Sequence, residues 1–290
     1  MSELRLIDPD PASVFTGNLV FTIPHMDDEV LACGGTIARL TEKERIHFIY
    51  ATDGAMSPAP AFDWMAPHRG DLTETRIAEA ESALDVLGIP KHNLYFLDFP
   101  DGSLREHVPA LRDVLVQLYD RLQPAHVFVP FRYDRHPDHL AVHEAAMGAL
   151  GCLGKKVSVA EYFVYYRWRL LPGGDVRRFI RTEHMLRVEI EAQRQLKRRA
   201  LECYRSQTTR YYPWQHRPIL SPERVIEVSS SPENFVLHNG AFRDAAIFSR
   251  LRPWIRVVHW AEPRLKVAKD RFILLARSVV RYFSKDVAEQ

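Results

Sequence analysis

Apolar runs alternate with longer stretches in which apolar residues recur about every 3.6 positions, the period of a helix. Strands are predicted at residues 18–23, 45–51, 93–98, 126–131 and 157–166. Helices are predicted at residues 29–43, 72–87, 107–122, 139–150 and 190–204. Because strand and helix alternate, the pattern predicts a Rossmann-like α/β fold, in which helices cover both faces of a mostly parallel sheet.

The length and composition fit a single large domain of this class. The chain has 290 residues, of which 46% are hydrophobic, and this is enough for a sizeable core. We predict one domain over residues 1–240, followed by a basic C-terminal extension over residues 241–290. Residues 55–70 are rich in proline and alanine, which predicts a loop. This loop could be a lid over a site or a plain surface loop.

Charge and cysteine content narrow the classes of protein. The net charge of +2 gives no indication of nucleic-acid binding. The three cysteines form no CxxC pair, and their odd number favours a reducing compartment over a disulfide framework. The start of the chain lacks the apolar core of a signal peptide, and no run approaches the roughly 18 apolar residues of a membrane span. We therefore expect a cytoplasmic protein.

Polar residues gather where four of the predicted strands end. They are residues 25–29, Asp53 with Gly54, Asp98 with Asp101 and Gly102, and residues 132–139. In open parallel sheets, ligands bind at the carboxyl ends of the strands. The sequence therefore predicts that these separated residues line one crevice.

The first of these clusters has the composition of a metal site. Residues 25–29 place one imidazole and three carboxyl groups within five positions. Like charges repel, so the cluster favours a bound cation, and histidine with a carboxylate is a typical zinc ligand pair. Another carboxylate could act as a base toward a water that the cation activates. The alternative is that Asp28 and Glu29 only stabilise the start of a helix, where the helix dipole favours carboxylates.

The second cluster, residues 133–139, could supply the distant ligand that the first cluster lacks. A catalytic zinc site usually has three protein ligands, so either His136 or His139 could complete it. His139 begins a predicted helix and should be held rigidly. His136 precedes Pro137 in an extended turn and could instead face a substrate.

Together the two clusters resemble a known signature. Residues 24–29 (PHMDDE) and residues 136–139 (HPDH) resemble the paired PHPDDE and HPDH motifs of the PIG-L/LmbE family of zinc-dependent N-deacetylases. Residues 76–88, 97–102 and 197–207 also resemble family patterns, so the similarity extends over roughly residues 17–208. One departure is Met26, which stands where the family usually has proline, a residue that restricts φ.

The resemblance implies a role for individual positions. It implies one Zn²⁺ held by His25, Asp28 and His139, and Fe²⁺ fits the same ligands. It implies Asp27 as general base, His136 as the oxyanion-stabilising residue and Asp138 as the acid that orients His136. We take His136 to act as an imidazolium. Arg76 matches a substrate-contacting arginine, and Asp98 and Tyr133 are further predicted substrate contacts.

The function implied by the resemblance is removal of an N-acetyl group from an amino sugar in a glycoconjugate or glycolipid. The sequence contains no G-x-G-x-x-G motif after the first strand, no Walker motif and no G-x-S-x-G motif. These motifs are typical of dinucleotide-binding proteins, P-loop proteins and serine hydrolases. Two alternatives remain, another metal-dependent hydrolase on the same site and a non-catalytic sugar-binding protein. The second alternative leaves Asp27 without a purpose, since binding needs no base.

The C-terminal extension has a separate chemical character. Residues 250–285 carry ten Lys/Arg and two acidic residues, interleaved with aromatic residues. Leu265, Phe272, Leu275, Val279 and Phe283 approximate one helical stripe. This pattern is typical of an amphipathic helix on an anionic membrane surface, here the inner face of the membrane. It is also typical of a core-packed helix with a solvated basic face, which is the commoner case.

Overall fold

The computed structural model describes residues 9–58, 69–166, 175–180 and 185–239, with isolated positions between 253 and 272. The strands are β1 Leu19–Ile23, β2 Ile46–Thr52, β3 Leu94–Phe99, β4 His126–Pro130, β5 Ser158–Tyr162, β6 Met185–Val188 and β7 Glu233–His238. The helices are α1 Pro11–Val14, α2 Asp28–Arg39, α3 Arg69–Val86, α4 Val108–Leu122, α5 Pro137–Leu153, α6 Arg194–Glu202, α7 Arg205–Thr208 and α8 Pro222–Ser230. All five predicted strands and all five predicted helices are present.

The described strands form one seven-stranded sheet in the order β3-β2-β1-β4-β5-β7-β6. Strands β1 to β5 pair in parallel, which confirms the predicted mostly parallel sheet. The edge was not predicted: β7 pairs antiparallel with β5, and β6 pairs antiparallel with β7. Strand β6 has four residues, and β7 has polar residues at both ends around only three apolar ones, so neither has a long apolar run.

Each face of the sheet carries its own apolar core. On one face, Phe21 of β1 stacks between Phe48 and Phe128, with ring centroids 5.0 and 4.0 Å away. Helices α2, α3 and α6 cover this core. Helices α4 and α5 pack on the other face, against apolar residues of β1, β2 and β4. The predicted placement of helices on both faces is therefore confirmed, and burial of this apolar area stabilises the sheet that carries the site.

Helix α5 begins at Pro137, two residues before its predicted start. His136 is the N-cap in extended conformation, and its Nδ1 accepts the N–H of Asp138 at 3.3 Å. Proline suits the first helical position, since it has no N–H to leave unbonded. His139 therefore lies in the first turn of the helix, while His136 stands just outside it.

The buried carboxylate of Glu233 joins α2 and α6 to the antiparallel edge of the sheet. The carboxylate of Glu233 in β7 accepts hydrogen bonds from the backbone N–H groups of Gly35 and Thr36 and from Lys197 Nζ, each at 2.7 Å. A Cβ atom on Gly35 would lie 2.5 Å from Ile190, so glycine is needed for this close approach. The contact holds α2, the helix that begins with Asp28, against the rest of the domain.

Some predictions fall on residues that the structure does not describe. Most of the predicted loop at 55–70 and most of the extension at 241–290 lie outside the described residues, and so does the predicted boundary between the two domains. The described positions from 253 to 272 are helical, and five large apolar side chains there are 47–73% exposed: Trp254, Val257, Trp260, Leu265 and Phe272. Among the described residues, no helix is long and apolar enough to cross a membrane.

Candidate metal centre and active site

The carboxyl ends of β1, β3 and β4 bring the two sequence clusters together. His25 and Asp28 follow β1, Asp101 follows β3, and Asp138 and His139 follow β4. The imidazole rings of His25 and His139 have centroids 5.4 Å apart. The separated residues therefore meet at the strand ends, since parallel strands end at the same edge of the sheet.

The three predicted metal ligands converge on one point. The Oδ2 atom of Asp28 lies 3.2 Å from His25 Nδ1 and 3.2 Å from His139 Nε2. Asp28 and His139 are buried, and His139 Nε2 forms no hydrogen bond of normal geometry within the part of the chain that the structure describes. Two imidazole nitrogens and one carboxylate oxygen form a ligand set typical of zinc, so these residues fit a metal ion.

A second layer of carboxylates orients the two imidazoles. The Nε2 of His25 lies 3.1 Å from Asp101 and 3.2 Å from Asp138, and the Nδ1 of His139 lies 3.1 Å from Asp134. A carboxylate that accepts the proton of one ring nitrogen fixes the tautomer of the imidazole. The other ring nitrogen then presents its lone pair to a metal. The sequence motifs assign no role to Asp101 or Asp134. Both follow the end of a parallel strand, and this position is the signal that could identify them.

The groups around His25 also permit a second reading of the cluster. His25, Asp101 and Asp138 place one ligand atom each within 4.8 Å of one another, on the Nε2 side of the ring. However, Asp138 already accepts the N–H groups of Gly102 and Leu104, at 2.8 and 3.1 Å. Asp101 accepts the N–H of Met56 at 2.9 Å. Carboxylates bonded in this way suit the second layer better than the metal itself.

The predicted role of Asp138 is wrong in one respect. Its carboxylate does not orient His136 but contacts His25 Nε2, and only its backbone N–H reaches His136. The reason is its place in the first turn of α5, from which its side chain bonds the N–H groups that follow β3. Asp138 therefore orients a predicted metal ligand.

The surroundings of His136 disfavour the imidazolium form that we expected from the sequence. Burial lowers its pKa, and the neighbouring His25 and His139 lower it further, to about 3. Because Nδ1 accepts the N–H of Asp138, the proton of the neutral ring is on Nε2. A neutral Nε2–H is still a hydrogen-bond donor, so the ring retains the means to contact an oxyanion.

The two predicted histidine ligands hold protons more tightly than usual. Burial alone would lower the pKa of His139, but Asp134 and Asp28 raise it to about 9. Burial likewise opposes ionisation of His25, but Asp101, Asp138 and Asp28 raise its pKa well above the usual value. The carboxylates around these two imidazoles therefore favour a positive charge at this place.

Asp27 is buried beside the predicted ligands, with 7% of its surface exposed. Burial raises its pKa to about 8, with Asp28 and Glu29 adding to the effect and Arg76 opposing it. A nearby divalent cation would lower this value. A carboxyl group whose pKa lies near neutrality is suited to general-base catalysis.

Arg76 lies behind Asp27 and is 1% exposed. Its guanidinium donates to the carbonyls of Met26 and Ser57, and it lies 3.3 Å from Asp27 Oδ1. These contacts indicate that Arg76 holds the loop that carries Asp27, and its expected contact with substrate stays a prediction. The predicted substrate contacts of Asp98 and Tyr133 also stay predictions. Asp98 is exposed in β3, and Tyr133 is half-buried, with its ring centroid 5.9 Å from that of Phe131.

Comparison with known families agrees with the paired motifs. Residues 20–150 match the PIG-L family, described as GlcNAc-PI de-N-acetylase. The match spans β1 to α5 and includes every residue that was predicted to bind a metal or to act in catalysis. This part of the chain, somewhat less than half of its length, is therefore similar to the PIG-L family.

Two deacetylases are similar to part of the chain. The diacetylchitobiose deacetylase of Thermococcus kodakarensis is 30% identical over 120 residues, which cover 40% of this chain and 42% of that protein. The 1D-myo-inositol 2-acetamido-2-deoxy-alpha-D-glucopyranoside deacetylase of Rhodococcus jostii is 32% identical over 158 residues, which cover 47% of this chain and 54% of that protein. The chain thus spans about half the length of these relatives.

The fold also matches a solved structure. The N,N'-diacetylchitobiose deacetylase of Pyrococcus horikoshii superposes with a TM-score of 0.56, covering 86% of this chain and 91% of that chain. Sequence identity in this superposition is 21%, so the likeness shows the fold alone.

Proposed function

We propose that this protein is a zinc-dependent N-deacetylase that removes the N-acetyl group from an amino sugar in a glycoconjugate or glycolipid. The observation that carries the proposal is the convergence of His25 Nδ1 and His139 Nε2 on Asp28 Oδ2, with Asp27 next to Asp28 in the chain. The similarity to the PIG-L family and the deacetylase relatives support the reaction class.

His25, Asp28 and His139 would hold the ion, Zn²⁺ or Fe²⁺. A bound Zn²⁺ supplies Lewis acidity: it polarises an amide carbonyl and lowers the pKa of a coordinated water. Asp27 takes the proton of the attacking water. The Nε2–H of His136 donates to the oxygen that gains negative charge, a contact worth roughly 3 kcal/mol. Asp27 then returns its proton to the departing amine, which completes the exchange.

The test is acetate release from a panel of amides. The panel includes free N-acetylglucosamine, an N-acetylglucosamine disaccharide and an N-acetylglucosaminyl lipid, each with zinc and with a chelator. We expect acetate from at least one substrate with zinc, and loss of release in the chelator. If zinc binds but no substrate is cleaved, the protein is a sugar-binding protein or a hydrolase of another bond.

We also propose that residues 250–285 make peripheral contact with an anionic membrane surface. Trp260, Leu265 and Phe272 are 62%, 60% and 73% exposed, which does not fit burial of their side chains in a core. In a strongly basic segment, the Lys and Arg side chains can contact anionic headgroups while the apolar side chains enter the acyl layer below them. The cytoplasmic location stays a prediction.

Vesicle co-sedimentation of the full chain tests this contact. We expect binding to vesicles that contain phosphatidylglycerol, weak binding to pure phosphatidylcholine, and loss of binding in the double variant Leu265→Ser/Phe272→Ser. Binding that is independent of anionic lipid, or unchanged in the double variant, contradicts the proposal.

A further inference from the structure

Asp27 has a backbone conformation that residues other than glycine rarely adopt. Its φ is 127° and its ψ is −27°. Asp27 is the N-cap of α2, yet its side chain makes no capping hydrogen bond. Such a conformation persists only where the surroundings impose it. The contacts of the neighbouring peptide groups show what imposes it here.

The Met26–Asp27 peptide is held at both of its polar ends. The carbonyl of Met26 accepts a hydrogen bond from Arg76, and the N–H of Asp27 donates to Glu29 Oε2 at 3.2 Å. A peptide group bonded on both sides cannot rotate freely about its flanking bonds. These contacts therefore fix the direction in which Asp27 leaves the chain.

Glu29 is itself held by a distant tyrosine. Its side chain is fully buried, and its Oε1 accepts the hydroxyl proton of Tyr204, which is also fully buried. Tyr204 lies between α6 and α7, far from Glu29 in the sequence. Two residues on, Ser206 donates its N–H and its hydroxyl to Glu79 of α3, both at 2.7 Å. The segment that carries Tyr204 is thereby tied to the helix that carries Arg76.

We propose that Glu29 and Tyr204 are positioning residues, which clamp the Met26–Asp27 peptide so that the Asp27 carboxylate faces the reacting groups. The inference rests on the proposed function only for its effect on turnover, since the clamp itself is a feature of the fold.

A purely structural reading of Glu29 is weaker. Burial of a carboxyl group is unfavourable unless it is hydrogen-bonded, and an apolar side chain would fill the same space without that cost. Both oxygens of Glu29 are used, one on the backbone of Asp27 and the other on Tyr204. The hydrogen bond from the Asp27 N–H therefore explains why a carboxyl group, and not an apolar side chain, is buried at position 29.

The experiment compares Tyr204→Phe with the matched variant Tyr119→Phe. Tyr119 is also fully buried, and its hydroxyl lies 2.6 Å from Thr22, in the core on the opposite face of the sheet. Each variant removes one buried hydroxyl hydrogen bond. With the N-acetylglucosamine disaccharide, we expect Tyr204→Phe to lower kcat about 10- to 100-fold at unchanged KM and zinc content, because misplacing a catalytic group has effects of this size. Tyr119→Phe should keep kcat.

Two further measurements separate positioning from folding. Glu29→Gln keeps one acceptor oxygen, so it should retain more turnover than Glu29→Ala at equal zinc content. In metal-free protein, hydrogen exchange of amides 25–30 should be faster in Tyr204→Phe than in wild type, and unchanged in Tyr119→Phe. Unchanged exchange together with full turnover in Tyr204→Phe overturns the clamp. Faster exchange in a protein whose wild type releases no acetate supports the clamp and contradicts only the proposed function.

Discussion

Zinc binding should release protons, because the predicted ligands are protonated when the metal is absent. The pKa of His139 is raised to about 9, and that of His25 is raised well above its usual value. A metal takes the lone pairs of His25 Nδ1 and His139 Nε2, so the proton on each of these atoms must leave. The far nitrogens keep theirs, since they face Asp101, Asp138 and Asp134.

The magnitude follows from these pKa values. At pH 7, a group whose pKa is about 9 is about 99% protonated, so His139 contributes close to one proton. Displacing it weakens zinc binding by about 3 kcal/mol at this pH, since each pKa unit corresponds to about 1.4 kcal/mol. His25 contributes a second proton. Asp27, whose pKa is about 8, contributes up to one more as the cation lowers that value.

Zinc affinity should therefore rise with pH as long as His139 or His25 is protonated before the metal binds, and it should level off once the pH exceeds both pKa values. With about two protons displaced, the binding constant should rise about 100-fold between pH 6 and pH 7. Isothermal titration calorimetry at pH 7, in buffers of different ionisation enthalpy, measures the number of protons directly. We expect at least about two, and up to one fewer in Asp27→Asn.

The control is His92→Ala, because the His92 side chain is 72% exposed and lies outside the site. It should leave the proton count unchanged. A count below one in wild type would mean that the ligands are already neutral, which refutes the assignment of protonated His25 and His139.

Four further variants, with one control, test separate parts of the site and the fold. Asp27→Ala should bind zinc normally but lose about 10²- to 10⁴-fold in turnover, since it removes the base; loss of zinc in this variant would make Asp27 a ligand. His136→Ala should keep zinc and lose about 10²- to 10³-fold in kcat, whereas His139→Ala should lose zinc; exchanged results would exchange the two roles. Lys197→Met should lower the free energy of unfolding in urea by about 3–5 kcal/mol, because it leaves the buried Glu233 unpaired. The exposed pair of Arg45 with Glu42 is the control, and Arg45→Met should change stability by under about 1 kcal/mol; equal losses contradict this account of the buried pair.

The parallel half of the fold could be predicted because its strands are long apolar runs between periodic helices. The site could be predicted because parallel strands end at one edge, which brings residues 25–28 and 136–139 together. The antiparallel pair β6 and β7 could not, because short strands with mixed side chains carry little periodic signal.

The supporting contacts of the site were also beyond the sequence. Asp138 was expected beside His136, but its rotamer is set by N–H groups that follow β3. Tyr204 reaches Glu29 only through the packing of a distant segment, which no local pattern encodes. Arg76 was recognised from the family pattern, but only the structure shows that its guanidinium holds Met26 and Asp27.

The most direct test of the central claim is a titration of zinc into chelator-treated protein, with acetate release measured after each addition. We expect no release at the start, a linear rise, and a break at one zinc per chain, with no rise at all in His139→Ala. Full release from the metal-free protein, or a rise that is the same in His139→Ala, would contradict a catalytic metal held by His25, Asp28 and His139.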